Sequence, residues 1–288
     1  MKAETALECQ NRLGEGPVWC TREQVLWWVD IVAPAIWRFN PASGAHRSWP
    51  MPEHVGSLGV REQGGLIVAF KSGFGTFDPA TGAIEMLDPC EADLADNRFN
   101  DGRCDYAGRF WAGSLTYPED QPLGTLWRLG SDHCATPVLR DITIPNGLCW
   151  SPDGRTMYFT DTASREIMAY DFDLAAGLPS NPRLFARVEG PGWPDGSTVD
   201  AEGFVWNCEW DGARVVRYAP VGTVDRILEV PAPRATCCAF GGPDLSTLYL
   251  TSAWDRLSEA ERAEWPLSGN LFAADVGVRG LPEPRYLG

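Results

Sequence analysis

Four side chains with oxygen atoms that could bind a cation occupy the same position in a repeated pattern. Each stands 9 to 11 residues before the apolar centre of a strand-like segment, and the four are Glu15, Asn100, Asn146 and Asp195. Two carboxylates and two amide oxygens suit a hard or borderline divalent cation and offer no soft sulfur ligand. The set therefore predicts a site for one divalent metal ion, with Ca²⁺, Zn²⁺, Mn²⁺, Mg²⁺ and Fe²⁺ all open as its occupant.

The strand-like segments themselves recur six times along the chain. They cover residues 25–30, 65–70, 109–114, 156–161, 203–208 and 247–252. Successive segments begin about 40 to 47 residues apart, which is the spacing of β-propeller blades rather than of solenoid repeats. A second β-rich segment follows each one, so the strands come in meandering sets. The pattern predicts an all-β fold, a six-bladed β-propeller with a metal site in the central channel.

Nothing in the sequence divides the repeat into separate units. No Gly/Ser linker, charge block or low-complexity run interrupts it, so we expect residues 1–288 to form a single propeller domain. We also expect residues 3–9 to pair with the last blade and close the ring. The one convincing helical stretch is residues 258–264, with Ser258 as its N-cap and Pro266 after its end.

In a propeller, the first strand of each blade lines the channel, so the four oxygen-bearing side chains should converge there. The equivalent places in the second and sixth repeats hold Gly56-Ser57 and Cys237-Cys238, which predicts a lopsided, open site. Taken singly, each acidic, Asn or Gly residue could instead serve the backbone of a β-turn. Turn chemistry does not require oxygen donors in the same phase of four repeats, so the joint pattern favours a shared site.

Charge and missing motifs exclude several other functions. A formal net charge of −15 argues against binding to nucleic acid or to an anionic membrane. No apolar run suits a membrane span or a secretory signal, which predicts a cytoplasmic protein with reduced cysteines. The sequence has no HExxH, GxSxG, GxGxxG or Walker motif, so His-bound zinc, acyl-enzyme and nucleotide chemistry have no support.

Five short motifs resemble those of the SMP-30/gluconolactonase/regucalcin family. They are LGEGPVW at 13–19, NRFNDG at 97–102, NGLCWSPDG at 146–154, PDGSTVD at 194–200 and FGGPD at 240–244. The resemblance spans nearly the whole chain, and the motifs stand in the family's order. It implies a six-bladed propeller with one catalytic divalent metal, bound by residues matching Glu15, Asn146 and Asp195. Family members hydrolyse sugar lactones, so the implied reaction opens a pentono- or hexonolactone to the aldonic acid.

The resemblance also implies roles for residues around the metal. Arg98 would bind oxygens of the substrate, and Asn100 would either coordinate the metal or hold a substrate oxygen beside it. The expected chemistry is attack of a metal-activated water on the lactone carbonyl. Asp195 is our candidate general base, although a ligand role alone would explain it. Arg98 could instead form only a salt bridge with Asp101 or Asp96.

Substrate specificity is expected to lie in the loops. The long, polar, Pro-bounded segment 114–122 predicts a lid over the channel mouth, with Tyr117 and Glu119 as candidate substrate contacts; a solvated surface loop is the alternative. Trp193, beside the Pro194-Asp195 motif, is a candidate apolar wall, and Trp210 and Trp254 are weaker ones.

Two other functions compete with the lactonase. One is a metal-dependent esterase or organophosphate hydrolase that uses the same cation, and the other is a calcium-binding propeller without turnover. The sequence favours a monomer because ring closure satisfies the sheets internally, while an exposed aromatic patch could still pair two copies.

Overall fold

The computed structural model of the protein describes residues 1–288 and contains 24 β-strands in six four-stranded sheets. Strand β1 is Glu4–Leu7. Blade 1 comprises β2 (Gly14–Cys20), β3 (Val25–Asp30), β4 (Ala35–Phe39) and β5 (His46–Pro50). Blade 2 comprises β6 (Val55–Val60), β7 (Leu66–Phe70), β8 (Gly73–Phe77) and β9 (Ile84–Asp88). Blade 3 comprises β10 (Asn97–Cys104), β11 (Phe110–Thr116), β12 (Gly124–Leu129) and β13 (Ala135–Ile142).

The second half of the chain repeats this arrangement. Blade 4 comprises β14 (Pro145–Trp150), β15 (Thr156–Asp161), β16 (Glu166–Asp173) and β17 (Leu178–Arg187). Blade 5 comprises β18 (Trp193–Val199), β19 (Val205–Trp210), β20 (Arg214–Tyr218) and β21 (Val224–Glu229). Blade 6 comprises β22 (Ala235–Gly241), β23 (Thr247–Ser252) and β24 (Leu271–Asp275), completed by β1. The predicted all-β, six-bladed propeller is confirmed.

The ring is closed by its N-terminal strand. Strand β1 pairs antiparallel with β24, with Glu4 opposite Ala273 and Thr5 opposite Phe272. The last blade therefore obtains its outer strand from the start of the chain, as the sequence predicts. This pairing leaves no gap between the first and last units of the ring.

Burial falls from the channel towards the outside of each blade. The second strand of blade 1 is buried along its whole length, because Trp27 and Trp28 point to opposite faces and pack against different neighbours. Outer strands such as β5 and β9 are mostly exposed. Each large buried apolar side chain contributes about 1.5–3 kcal/mol, so the layers between blades hold the ring together.

The first strand of every blade contains a register shift against its second strand. The shifts fall between Glu15 and Val18, Val55 and Ser57, Phe99 and Gly102, Asn146 and Cys149, Pro194 and Ser197, and Ala235 and Cys238. A β-bulge leaves a residue unpaired and changes the direction of its side chain. The predicted cation-binding positions thus coincide with a bulge that is repeated in all six blades.

The single α-helix is short and lies outside the ring of sheets. It spans Glu259–Glu264, and Ser258 is its N-cap, as the sequence predicts. The structure adds a reciprocal capping box between Ser258 and Glu261. The structure has no helix with the length and apolar character needed to cross a bilayer.

The C-terminal segment crosses the end of the channel farthest from Glu15. Its backbone is tied to several blades, because Tyr286 N donates to Val60 O and Leu287 N donates to Gly108 O. The Glu283 carboxylate pairs with the buried Arg103 guanidinium at 2.8 Å. This end of the channel is therefore covered by the chain's own residues.

Candidate active site

Three of the predicted metal ligands meet at the start of the channel. Glu15, Asn146 and Asp195 lie at the bulges of β2, β14 and β18, and all three side chains are buried. The backbone after Glu15 and Asn146 enters the left-handed region at Gly16 (φ 55°) and Gly147 (φ 65°), which side chains rarely adopt. The Glu15 and Asp195 carboxyl groups lie within hydrogen-bonding reach of each other.

The two carboxyl groups have no cationic partner. Glu15 is 3% exposed and Asp195 is 5% exposed, and neither forms an ion pair with any Arg, Lys or His side chain. The Glu15 carboxylate accepts a hydrogen bond from Gly16 N at 2.8 Å. Burial, reinforced by the neighbouring Asp101 charge, raises the pKa of Glu15 from 4.5 to about 8. Burial and the charge of Glu15 raise the pKa of Asp195 well above its ordinary value.

This arrangement fits a bound divalent cation. Buried charges in proteins are normally paired or coordinate a metal, and two adjacent carboxylates satisfy neither condition by themselves. An oxygen-coordinating dication would compensate both charges, and Asn146 Oδ1 would add a neutral oxygen ligand. The donor set lacks sulfur and imidazole, which agrees with a hard or borderline ion.

Asn100 is part of the same hydrogen-bonded network. Its Nδ2 donates to Asn146 Oδ1 at 3.0 Å and to Pro145 O at 2.9 Å. Asn146 Nδ2 donates to Thr162 Oγ1 at 2.8 Å, and that hydroxyl donates to Pro194 O at 2.8 Å. Both ends of the Asn146 amide are therefore fixed, and Asn100 is placed beside the candidate ligands as predicted.

The Arg98 guanidinium is almost fully occupied by protein acceptors. Its Nη1 donates to Asn100 Oδ1 at 2.7 Å and to Phe99 O at 3.0 Å, while Nε donates to Tyr117 OH at 3.0 Å. Its Nη2 donates to Glu119 Oε1 at 3.2 Å. The alternative prediction, a salt bridge from Arg98 to Asp101 or Asp96, is wrong in its partner. Arg98 pairs with Glu119 instead, because the lid segment folds back over β10.

The segment predicted as a lid borders a pocket above these residues. Strand β11 continues to Thr116, so the turn begins later than predicted, and Tyr117 and Glu119 line the pocket. The cavity has a volume of about 360 Å³ and has Glu15, Asn146 and Asp195 in its wall. A cavity of this size matches a small-molecule site.

Two tryptophans form apolar parts of the pocket wall. Trp193 and Trp210 both line it, whereas Trp254 lies outside. The Arg165 guanidinium stacks on Trp193 at 4.3 Å, and the Arg234 guanidinium stacks on Trp210 at 4.7 Å. The sequence predicts an apolar wall at Trp193 and Trp210, where the structure has it, whereas the prediction that Trp254 also lines the site is wrong.

Three residues near the site are not predicted from the sequence. Thr162 holds the Asn146 amide, and Asp101 lies buried beside the candidate ligands and accepts a hydrogen bond from Leu148 N at 2.8 Å. Arg256 lines the pocket and donates a hydrogen bond to Glu119. Asp101 stands within a recognised motif, which was a signal for its importance. Thr162 and Arg256 follow their strands without any motif, so only the folded chain places them.

The fold, the motifs and the buried oxygen-bearing side chains together point to one protein family. Residues 13–254 match the model of the SMP-30/Gluconolactonase/LRE-like region. The chain belongs to this family, which confirms the resemblance seen in the sequence.

Characterised relatives match along almost their full length. A 6-deoxy-6-sulfogluconolactonase of Pseudomonas putida is 43% identical, over 96% of this chain and 95% of that protein. An L-arabinolactonase of Azospirillum brasilense is 36% identical, over 100% of this chain and 96% of that protein. The crystal structure of regucalcin, a calcium-binding protein of Agrobacterium tumefaciens, superposes with a TM-score of 0.95 at 33% identity, covering 99% of this chain and 97% of that one.

Proposed function

We propose that the protein hydrolyses a sugar lactone to the aldonic acid with the help of one divalent cation held by Glu15, Asn146 and Asp195. The observation that carries the proposal is the pair of adjacent, buried carboxyl groups without a cationic partner at the base of a small-molecule pocket. Relatives named as sugar lactonases support the reaction class. A structural relative described as calcium-binding supports the cation.

A bound dication would supply a Lewis acid for the lactone carbonyl and would lower the pKa of a coordinated water. The Asp195 carboxylate then accepts a proton from the attacking water, since it lies among the ligands and faces the pocket. Water adds to the carbonyl carbon, the ring C–O bond breaks, and the leaving oxygen takes up a proton. The product is an open-chain aldonic acid, which releases a proton at neutral pH.

Arg98 is held in place to stabilise negative charge on the substrate. Four of the five guanidinium N–H donors are bonded to protein acceptors, which fixes the planar group beside Asn100. The remaining donor is available to the carbonyl oxygen or to a ring hydroxyl. A donor that is fixed before substrate binds requires little reorganisation during the reaction.

The pocket suits a five- or six-membered sugar lactone. Trp193 and Trp210 provide apolar faces for the ring, while Tyr117, Glu119 and Arg98 provide polar groups for its hydroxyls. The relatives act, by their names, on a sulfonated gluconolactone and on L-arabinolactone. A substrate panel should therefore include pentonolactones, neutral hexonolactones and hexonolactones with an anionic group.

Acid release in a pH-stat, corrected for spontaneous lactone opening, tests the proposal. Metal-stripped protein, protein reloaded with Mn²⁺, Ca²⁺ or Zn²⁺, and the Asp195→Asn variant are compared across the panel. We expect turnover that depends on added metal and falls by at least about 10³-fold in Asp195→Asn. Asp153→Asn is the matched control, because Asp153 lies in an exposed turn and pairs with Ser151.

Other outcomes identify the competing functions. Turnover unaffected by chelation and by Asp195→Asn would overturn the metal mechanism. Metal-dependent cleavage of aryl esters or organophosphates with no lactone turnover would indicate the broader hydrolase. Tight Ca²⁺ binding without turnover of any substrate would indicate the non-catalytic propeller.

A further inference from the structure

Five charged side chains form a connected cluster on the rim of the pocket. Glu119 accepts from Arg98 at 3.2 Å and from Arg256 at 2.9 Å. Asp255 pairs with Arg12 at 2.6 Å and lies 3.6 Å from Arg256 Nε. We call these residues the rim cluster. It links the lid segment of blade 3 to the segment after β23 in blade 6.

The rim cluster carries an excess of positive charge. It contains three guanidinium groups for two carboxylates, whereas the protein as a whole has a net charge of −15. Asp211, also in the pocket wall, does not reverse this balance because it pairs with Arg234 at 2.6 Å. With the proposed dication offsetting the charges of Glu15 and Asp195 in the same pocket, the rim is a locally cationic site in an acidic protein, and it can attract an anion over a short range.

Arg256 has the free hydrogen-bonding capacity to receive that anion. Its guanidinium carries five N–H donors, and the protein accepts from one of them, through Glu119 Oε2. The side chain is 55% exposed and lines the pocket. Arg98, in contrast, is 5% exposed and uses four of its donors within the protein.

The backbone holds Arg256 in an uncommon conformation. Its φ of 62° lies in the left-handed region, where a long side chain is disfavoured. Leu257 N donates to Trp254 O at 3.1 Å and fixes this turn. Strain of this kind persists where the surrounding structure requires it, and here it directs a cationic side chain to the pocket rim.

A continuous path of contacts connects Arg256 to the candidate metal ligands. From Asn146 the path runs through Asn100, Arg98 and Glu119 to Arg256. Arg256 is the most exposed member, and Asn146 lies at the base of the pocket. A lactone with its carbonyl at the base would place the opposite end of the sugar near Arg256.

We infer that Arg256 is a specificity-determining residue that binds an anionic substituent on the substrate, at the end of the sugar farthest from the lactone carbonyl. This inference rests on the proposed lactonase function and names the substrate class: sugar lactones with a sulfonate, phosphate or carboxylate group. The planar guanidinium donates two parallel hydrogen bonds to such oxyanions. Its remaining contact with Glu119 keeps it oriented towards the pocket.

The test uses the metal-loaded full chain and hexono-1,5-lactones that differ only at C6. The four arms carry a hydroxyl, sulfonate, phosphate or carboxylate, and the measured quantity is the ratio of kcat/KM for each anionic lactone to that for the neutral one. We expect a ratio of about 10 to 100 for the preferred anion at low salt, falling as ionic strength rises. In Arg256→Gln this ratio should fall close to 1.

Arg183→Gln is the charge-matched control, because Arg183 is an exposed residue of the outer strand β17 and pairs with Asp171. The control should keep the wild-type ratio. Competitive inhibition by methanesulfonate should be lost in Arg256→Gln and retained in Arg183→Gln.

Neutral lactone turnover with no anion preference, or a preference that survives Arg256→Gln, would overturn the inference while the proposed function stands. Absence of turnover for all four lactones would overturn the inference, whereas the proposed function is overturned only when the pentonolactones of the wider panel are inert as well.

Discussion

At the scale of single residues, the candidate site is marked by two buried carboxyl groups, Glu15 and Asp195, that form no ion pair with a basic side chain. Most buried charges in the protein are paired; for example, Asp200 with Arg217 and Glu209 with Arg214. Glu15 and Asp195 have each other instead, and two carboxylates repel when both are ionised. Asp30, Glu91 and Asp101 are also buried without an ion pair. The strongest structural reason to propose a cation at the channel entrance is therefore that Glu15 and Asp195 lie within hydrogen-bonding reach of each other.

The raised carboxyl pKa values predict a pH dependence of stability. In the folded, metal-free protein, burial raises the pKa of Glu15 to about 8 and also raises the pKa of Asp195, so the pair holds protons that the unfolded chain releases near pH 4. The folded state binds more protons over this interval, so its free energy of unfolding should fall as pH rises from about 5 to 8, by a few kcal/mol. Urea unfolding at several pH values in EDTA measures this fall.

Saturating Mn²⁺ or Ca²⁺ should remove most of that pH dependence above about pH 7, because the cation takes the place of the proton. Identical unfolding curves with EDTA and with metal at pH 8 would contradict the assignment of Glu15 and Asp195 as ligands.

A second prediction at this scale concerns the negative charge of Glu119, which pairs with two arginines of the pocket. Glu119→Gln keeps the shape of the side chain but removes the charge that holds Arg98 and Arg256. We expect kcat/KM for a lactone to fall about 10- to 100-fold, the loss of a charge-assisted hydrogen bond. Steady-state kinetics measure it.

Glu62→Gln is its matched control, because Glu62 also holds two arginines, Arg22 and Arg285, in an exposed position. Activity of Glu62→Gln should stay within about twofold of wild type. Equal losses in the two variants would show that the effect of Glu119→Gln is not specific to the pocket.

The sequence predicts some site residues much better than others. Periodicity predicts that four side chains converge, because one position in several repeats must face one axis: Glu15, Asn100, Asn146 and Asp195. The family resemblance, not periodicity, narrows the expected metal ligands to Glu15, Asn146 and Asp195. The contact of Glu119 with Arg98 joins residues 21 positions apart, and the contact with Arg256 joins residues 137 apart. Neither contact has a periodic signal, because loop conformations decide both.

At the scale of elements, the β-bulge in the first strand of each blade is the feature that brings side chains from several blades to one pocket. The first strand alternates its side chains, and a bulge at one place in each blade redirects the side chain there towards the channel. Blades 2 and 6 keep the bulge but carry Gly56 and Cys237 near it. The backbone is thus nearly six-fold, while the candidate ligands come from only some blades.

A buried Asp-to-Trp hydrogen bond recurs in the turn after the first strand of blades 3 and 5. Asp200 is fully buried and accepts from Trp206 Nε1 at 2.9 Å, Arg217 Nε at 2.8 Å and the backbone of the following turn. Asp105 binds Trp111 and Arg109 in the same way in blade 3. These Asp-to-Trp pairs fix the turn between the first and second strands.

We therefore expect Asp200→Ala to lower the free energy of unfolding by about 3 kcal/mol, since it leaves the Trp206 indole N–H buried without an acceptor. Asp225→Ala removes a partly exposed carboxylate from the same arginine and should lower the free energy of unfolding much less, because surface ion pairs contribute little. Chemical denaturation of both variants measures the difference. Equal losses would show that the buried turn contributes nothing beyond an ion pair with Arg217.

The sequence predicts the strands well and the bulges not at all. Residues 25–30, 156–161 and 247–252 match β3, β15 and β23 at both ends, because the four central residues of each strand are a continuous buried run. The Gly that follows Glu15 and Asn146 is compatible with a bulge, but a Gly within a strand does not by itself fix where the pairing shifts. Only the observed pairing shows that the candidate ligand positions fall on the bulge.

At the scale of the whole molecule, the site depends on closure of the ring. Glu15 follows the closing strand β1 in the chain and must reach Asp195 in blade 5, so blades 1, 4 and 5 have to be held in register. The closing pairs of β1 and β24 provide this constraint at one point. The C-terminal segment provides another, because it ties several blades together across the far end of the channel.

Deletion of residues 1–8 tests the importance of closure. The change removes β1, leaves the edge of β24 unpaired and removes the buried Ala3. We expect the melting temperature to fall by about 10 °C and the protein to associate through the open edge, as measured by calorimetry and light scattering. A synthetic peptide of residues 1–8 should restore part of the stability, and an unchanged melting temperature would contradict the role of β1.

The bulges of β2, β14 and β18 are proposed to build a cation site in the channel. Anomalous X-ray scattering from crystals of the full chain soaked with Mn²⁺ tests it most directly. We predict one strong peak within about 2.0–2.6 Å of oxygens of Glu15, Asn146 and Asp195, which disappears in Asp195→Asn crystals. Absence of the peak from the channel at saturating Mn²⁺, with strong peaks only elsewhere on the protein, would contradict the claim.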